Sequence, residues 1–372
     1  MRLERPDPPL ADGAGRTRTA APAAESREES PRPWSRRALG LVATLAGLVV
    51  VLLASLAVGS RGIAPGTVLD VVLHPSLRLG PAASPTATDA IVVLEQRLPR
   101  TLLGLACGVA LGGAGALMQA LTRNPLADPG VLGITWGASA AIVAGIVVFG
   151  VASTSGYVWF SLAGSALVAV VVYLLGQSGR SGATPARLAL AGTAIGASLQ
   201  GVVYAVVLTD SRAFDRFRVW RVGSLTGRDP GGLLEVLPFL VVGVLVALGL
   251  CRALNALALG EETGRALGVR VPRVRAATGI AIVLLCGGAT AACGPVAFVG
   301  LAVPHLARFV TGPDQRWVVP YSMVLGAVLV VAADVVGRVV AAPAELEVGV
   351  VTAFVGAPVF LAIARRRRVV AL

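Results

Sequence analysis

The chain has 372 residues, 55% of them hydrophobic and only 14% charged. An ordinary globular chain carries about 25% charged residues, so this one has too little charge to coat a water-soluble surface. A soluble enzyme, a disordered scaffold and a disulfide-stapled secreted domain are excluded. The formal net charge is +12, but the basic residues sit between apolar runs or at the ends and form no folded polar face of the kind that binds nucleic acid. All 32 basic residues are Arg. Without Lys the chain has no P-loop of its own and no Lys for Schiff-base chemistry.

Residues 1–37 are rich in Pro, Ala, Arg and Glu and read as a disordered cytoplasmic tail. This polar part is too long for a signal peptide, and the apolar run that follows is long enough to span a bilayer. Residues 38–372 form a transmembrane domain. A hydrocarbon core of about 30 Å needs roughly 20 apolar residues as helix. That window gives about ten spans, near 38–59, 98–121, 131–151, 157–176, 187–208, 233–253, 275–292, 294–311, 318–340 and 347–364. Only Cys293-Gly294-Pro295 separates the seventh from the eighth, which leaves nine as the other count. The runs are continuous and not alternating, so the expected fold is all-α, a polytopic membrane protein and not a β-barrel.

Arginine placement sets the orientation. With the N-terminus inside, 22 of the 32 Arg fall on the inner side and 10 on the outer, which places both termini in the cytoplasm. Five Arg between Arg212 and Arg228 oppose this rule and form a candidate docking surface. A weak internal echo accompanies it. Arg97-Leu98-Pro99-Arg100 opens the second run and Arg270-Val271-Pro272-Arg273 the seventh, and each leads through a Gly-rich span into a Pro-containing turn. In this topology the two open on opposite sides, the mark of an inverted repeat.

Within 97–137, Gly108, Gly112, Gly113 and Gly115 offer small faces at helical spacing for close helix contact. Gln119 adds a polar group, and Asn124-Pro125 and Asp128-Pro129-Gly130 force a turn. Read by physics alone, this is a packed hairpin. Leu259 to Val269 lies between the sixth and seventh spans. Glu261 and Glu262 follow Gly260, Arg265 stands four residues after Glu261, and Gly268 can end a helix. The stretch predicts a short, polar, capped helix. Asp334 lies well inside an apolar run, where acids are expensive. Arg338 four residues on makes an intrahelix pair the simpler reading, ahead of a proton relay. Arg97, Arg100 and Arg338 stand at outer helix ends, where snorkelling is the ordinary fate of such side chains. Cys107, Cys251, Cys286 and Cys293 form no C-x-x-C, and His74 and His305 are far apart. No metal site, cofactor or catalytic constellation is implied.

The motifs, taken in order, resemble the permease subunits of the iron–siderophore and cobalamin class of ABC importers. They are Arg97 to Arg100, Gly115-Ala116 with Gln119, Asn124 to Gly133, Trp220 with Gly223-Ser224-Leu225, Leu259 to Val269, Gly294 to Arg308, Ala333-Asp334, and Glu345 to Pro358. The likeness covers residue 38 to the end. It implies a pair of permeases, the second copy identical or homologous. Two ABC ATPase subunits would dock on the loop of Glu261, Glu262, Arg265 and Gly268. A periplasmic or lipid-anchored binding protein would dock by its Glu residues on Arg97, Arg100 and Arg338. The family motif of Gln119, Asn124, Pro125 and Pro129 shapes the hairpin between the second and third spans. The implied cargo is a ferric siderophore, with cobalamin or haem as the alternative. Outside the family, an ion-coupled secondary transporter using Asp334 and a membrane enzyme are the rival readings. The latter lacks a polar cluster at membrane depth.

Overall fold

In lipid, a continuous apolar run satisfies its backbone only as helix or closed barrel. A computed structural model describes residues 34–59, 62–76, 85–130, 133–151, 153–177, 185–226 and 230–365. Among these every regular element is helical: α1 Trp34–Ala57, α2 Pro65–Leu73, α3 Pro85–Ile91, α4 Leu98–Thr122, α5 Ile134–Phe149, α6 Thr154–Gln177, α7 Pro185–Thr209, α8 Ser211–Arg221, α9 Pro230–Ala258, α10 Glu261–Ala266, α11 Val271–Ile282, α12 Gly288–Cys293, α13 Val299–Thr311, α14 Gln315–Val340 and α15 Val348–Arg365. All ten expected runs are helical. Seven are long and apolar enough to cross a membrane, while α5, α13 and α15 supply shorter apolar helices. The expected tail falls outside the described residues except at its end, where Trp34 to Arg37 already belong to α1.

Three features differ from the expectation. The second span is longer, because α3 runs through a π-helical turn, Val92–Arg97, into α4. Pro99 has no N–H and its ring crowds the carbonyl four residues back; a π-turn just before it accommodates both without breaking the helix. A second π-turn, Val283–Gly287, joins α11 to α12. The seventh and eighth spans are separate, as the larger count required: Gly294 (φ 78°) and Phe298 (φ 66°) hold left-handed backbone at the break. The short helices α2 and α8 lie outside the ten runs. Asp210 caps α8 by accepting from the Arg212 and Ala213 amides at 2.8 and 3.0 Å.

Helix α4 is the axis of the bundle, packed against α14, α13, α9, α11 and α12. A Cβ on Gly112 would lie 2.0 Å from the Ser322 carbonyl oxygen, and one on Gly115 would lie 2.1 Å from the Gly300 oxygen. Lipid offers no hydrophobic force between helices, so such backbone proximity is what makes dispersion contacts strong enough to hold them. Helices α5, α6 and α7 form a neighbouring unit. The order long helix, Pro-containing turn and short helix occurs twice, in α4 to α5 and again in α11 to α13.

Gly112→Ala puts a methyl group against backbone that cannot swing away, and overpacking of this kind costs about 1–3 kcal/mol or more. The thermal midpoint in detergent should fall. Gly47→Ala in α1, which meets open space, should leave it unchanged. Equal midpoints for the two variants would contradict the packing described.

Candidate functional site: the two ends and the broken helices

Arg97, Arg100 and Arg338, at helix ends where the sequence leads one to expect outward charge, turn inward. The Asp334 carboxylate receives Arg100 Nε at 2.9 and 3.1 Å and Arg100 Nη2 at 2.7 Å. It also receives Arg338 Nη2 at 2.7 Å, the i, i+4 pair expected within α14. Arg100 Nη1 donates to Glu345 at 2.7 Å, and the Thr226 hydroxyl donates to the same oxygen at 3.2 Å. The remaining donors reach the end of α1. Arg338 Nη1 serves the carbonyls of Ser55 (2.8 Å) and Val58 (3.2 Å), and Arg97 Nη1 those of Leu56 (2.7 Å) and Ala57 (2.9 Å). The last turn of any helix leaves such carbonyls orphaned and carries partial negative charge. Asp334 is 2% exposed, Arg338 3% and Arg97 6%. Buried cations need these partners, which is why the side chains do not snorkel. Gly59 belongs to the same device, since a Cβ there would meet Arg97 Nη2 at 2.7 Å.

Glu345 lies in the loop after α14. Burial alone would raise its carboxyl, but the hydrogen bond and charge of Arg100, with Thr226, hold it below the ordinary carboxylate value.

The segments flagged in the sequence converge here and deeper in the bundle. The Gly223 carbonyl accepts from the Gly349 amide at 3.0 Å, and the Ser224 amide donates to Cys293 at 2.8 Å. The motifs at 220–225, 293–295 and 345–349 therefore meet. In the hairpin, Asn124 closes the end of α4: its amide reaches the Gln119 carbonyl at 3.2 Å, and its Oδ1 accepts from Leu126 at 3.0 Å. Pro125 and Pro129 fix the turn, and Asp128 and Pro129 pack against Gly300. The turn after α4 thus touches the start of α13. Gln119 is fully buried and donates to the carbonyls of Gly300 (3.2 Å) and Leu301 (3.1 Å). Its Oε1 accepts from Arg308 Nη2, and Arg308 is 1% exposed. This link between Gln119 and Arg308 was not anticipated from the sequence.

At the other end α10 forms as expected. Glu261 stands in its first turn, and Arg265 meets it at 3.4 Å. Gly268 (φ 83°) closes the helix: its amide donates to Arg265 (2.9 Å) and the Val269 amide to Gly264 (2.9 Å), the two bonds of a Schellman cap. Arg275 of α11 also bonds Glu261, a tie that the spacing did not reveal. Glu262, Thr263 and Arg265 are exposed, and Leu259 (69%) and Leu267 (61%) flank them in the open. Nearby, Asp314 caps α14. Burial would raise its carboxyl, but hydrogen bonds from Arg316 and Asn255 bring it below the ordinary value.

A polytopic helical bundle with broken helices at its centre and a polar helix projecting from one end defines a membrane transport subunit. Residues 47–366 match the FecCD transport family, and the chain belongs to it. It is 42% identical over 332 residues to the ferric enterobactin transport system permease protein FepD of Escherichia coli (strain K12), covering 89% of this chain and 96% of that one. It is 37% identical over 339 residues to the iron(3+)-hydroxamate import system permease protein FhuB of Bacillus subtilis (strain 168), covering 90% and 86%. In fold it is similar to a chain of a metal-chelate type ABC transporter solved in an inward-facing conformation (TM-score 0.74, 24% identity, 89% of this chain and 99% of that one).

Two outcomes check the buried network. Asp334→Asn strands two buried guanidinium groups, and losing one partner of such a pair costs about 3–5 kcal/mol. A large drop in thermal midpoint is expected, and a drop of a degree or less would refute the network. The Glu345 pair stabilises above the carboxyl's unfolded value, about 4.3, and that stability is lost as pH falls through the depressed folded value. Glu345→Gln should remove this acid limb from a melting-temperature profile.

Proposed function

We propose that this chain is the membrane-spanning permease subunit of an ABC importer that moves a ferric siderophore across the cell membrane. Membership of the FecCD transport family over residues 47–366 carries the reading. The names of relatives at 42% and 37% identity, a ferric enterobactin and an iron(3+)-hydroxamate permease, support the cargo class. The permease works as a pair, with a second copy or a homologue, and both termini lie in the cytoplasm. Two ABC ATPase subunits grip α10, where exposed Glu262 and Arg265 and the flanking Leu259 and Leu267 offer a polar ridge with apolar edges. Gly268 sets the exit of that ridge. ATP binding and hydrolysis favour different states of the permease through this contact, since only a partner with differential affinity shifts a conformational equilibrium.

The binding protein, periplasmic or lipid-anchored, docks on the opposite end. Arg97, Arg100 and Arg338 shape that surface by fixing α1, α4 and α14, and the exposed Arg212, Arg216 and Arg218 of α8 add positive charge. Complementary charge there governs encounter and register more than affinity. Asp334 is a structural counter-ion in this scheme and not a proton carrier.

The test is uptake of a ferric siderophore into proteoliposomes holding the permease, ATPase and loaded binding protein. Uptake should require internal ATP and survive an uncoupler. Glu261→Ala with Glu262→Ala should abolish stimulation of ATP hydrolysis by the loaded binding protein. Uptake without ATP that collapses with the uncoupler would instead establish an ion-coupled transporter.

A further inference from the structure

The end of α9 and the first turns of α14 border an open-sided cavity of about 370 Å³ lined by Leu248, Gly249, Cys251, Arg252, Arg316 and Pro320. Leu248, Gly249, Cys251 and Arg252 come from α9 and Arg316 and Pro320 from α14, so each side carries one guanidinium group beside apolar surface. Arg252 is exposed and has no hydrogen bond or ion pair among the described residues. Arg316 engages Asp314 through Nε and Nη2 and leaves Nη1 unused. Pro320 brings no N–H, so the Arg316 carbonyl lacks its helical donor. Among the described residues, the acid bonded to this cluster is Asp314, and Arg37 also stands 3.8 Å from it. The local charge is therefore positive.

On α9, Val241, Leu245, Leu248 and Arg252 fall at i, i+4, i+7 and i+11, a single helix face. The three apolar residues are 46%, 64% and 42% exposed. An exposed apolar stripe on a membrane-spanning helix thus leads straight to a free cation at the mouth of the cavity. A soluble anion would have no use for the stripe, and a neutral lipid none for the charge.

We propose that this cavity binds an anionic phospholipid. Its phosphodiester lies between Arg252 and Arg316, and an acyl chain runs along Val241, Leu245 and Leu248. Basic pockets between membrane helices hold lipid head groups on this principle, with each Arg near the surface contributing about five-fold in affinity. The assignment needs only that α9 spans a bilayer, and it is independent of cargo and of the ATPase contact.

The test uses the full chain in detergent, with native mass spectrometry after addition of phosphatidylglycerol or phosphatidylcholine of the same chain length. The wild type should retain phosphatidylglycerol in preference. Arg252→Gln, which breaks no bond of the fold, should weaken that retention about five-fold and leave phosphatidylcholine unchanged. Gly249→Trp should block retention while both Arg remain, because a side chain at Gly249 meets open space. Unaltered retention in either variant overturns the proposal. So does inorganic phosphate alone raising the thermal midpoint as far as phosphatidylglycerol does, which would make the cavity a simple anion site.

Discussion

The fold depends on how closely α4 can approach its neighbours. Helices already in lipid gain nothing by hiding apolar surface, so cohesion comes from contact density. Gly108, Gly112 and Gly115 bring the α4 backbone against Ala327, Ser322 and Gly300, closer than any side chain would permit. The consequence reaches the centre of the molecule. Because Gly115 lets Gly300 in, the start of α13 sits beside the turn that follows α4, and Gln119 can donate to the carbonyls of Leu301 and of Gly300, whose helical donor is removed by Pro304. Broken helices expose backbone polar groups at membrane depth, tolerable only where protein satisfies them. Here each break helps to satisfy the other.

Charge is handled by the same economy. Three Arg side chains, two acids and the last carbonyls of α1 form one connected assembly, buried at Asp334, Arg338 and Arg97 and open at Glu345. Arg100 forks on Asp334 and reaches Glu345; Arg338 and Arg97 close the end of α1. A bidentate carboxylate contact and a helix terminus are both geometries that suit the planar guanidinium better than an ammonium group.

Much of this was legible in the sequence. Apolar run length located every span. Cys293-Gly294-Pro295 pointed to a break between α12 and α13 but left nine and ten spans both open, and the spacing of Glu261, Arg265 and Gly268 foretold α10 with its cap. The pair of Asp334 and Arg338 followed from i, i+4 geometry. What stayed hidden depends on contacts between distant segments. No local pattern says that Arg100 would reach Asp334, 234 positions away, or that Arg308 would lie on Gln119. Hydropathy around Arg97 gave only a helix end, and the choice between surface and interior was made by the orphan carbonyls of α1, a tertiary fact. The π-turn before Pro99 left a faint local trace, a proline inside what proved to be continuous helix. The missed α8 had a clearer one, an Asp followed by an amphipathic stretch.

Helix α1 is fastened differently from the rest. One end is gripped by Arg97 and Arg338; at the other, Trp34 rests edge-on against Trp317 at 5.2 Å, and the Tyr321 hydroxyl bonds the Arg37 carbonyl. Between them Val42, Val49, Val50 and Leu53 look outward and Gly47 touches nothing. Helix α1 thus joins the two ends of α14 through separate contacts, aromatic at one and cationic at the other, and its outward middle is left to face lipid or a partner.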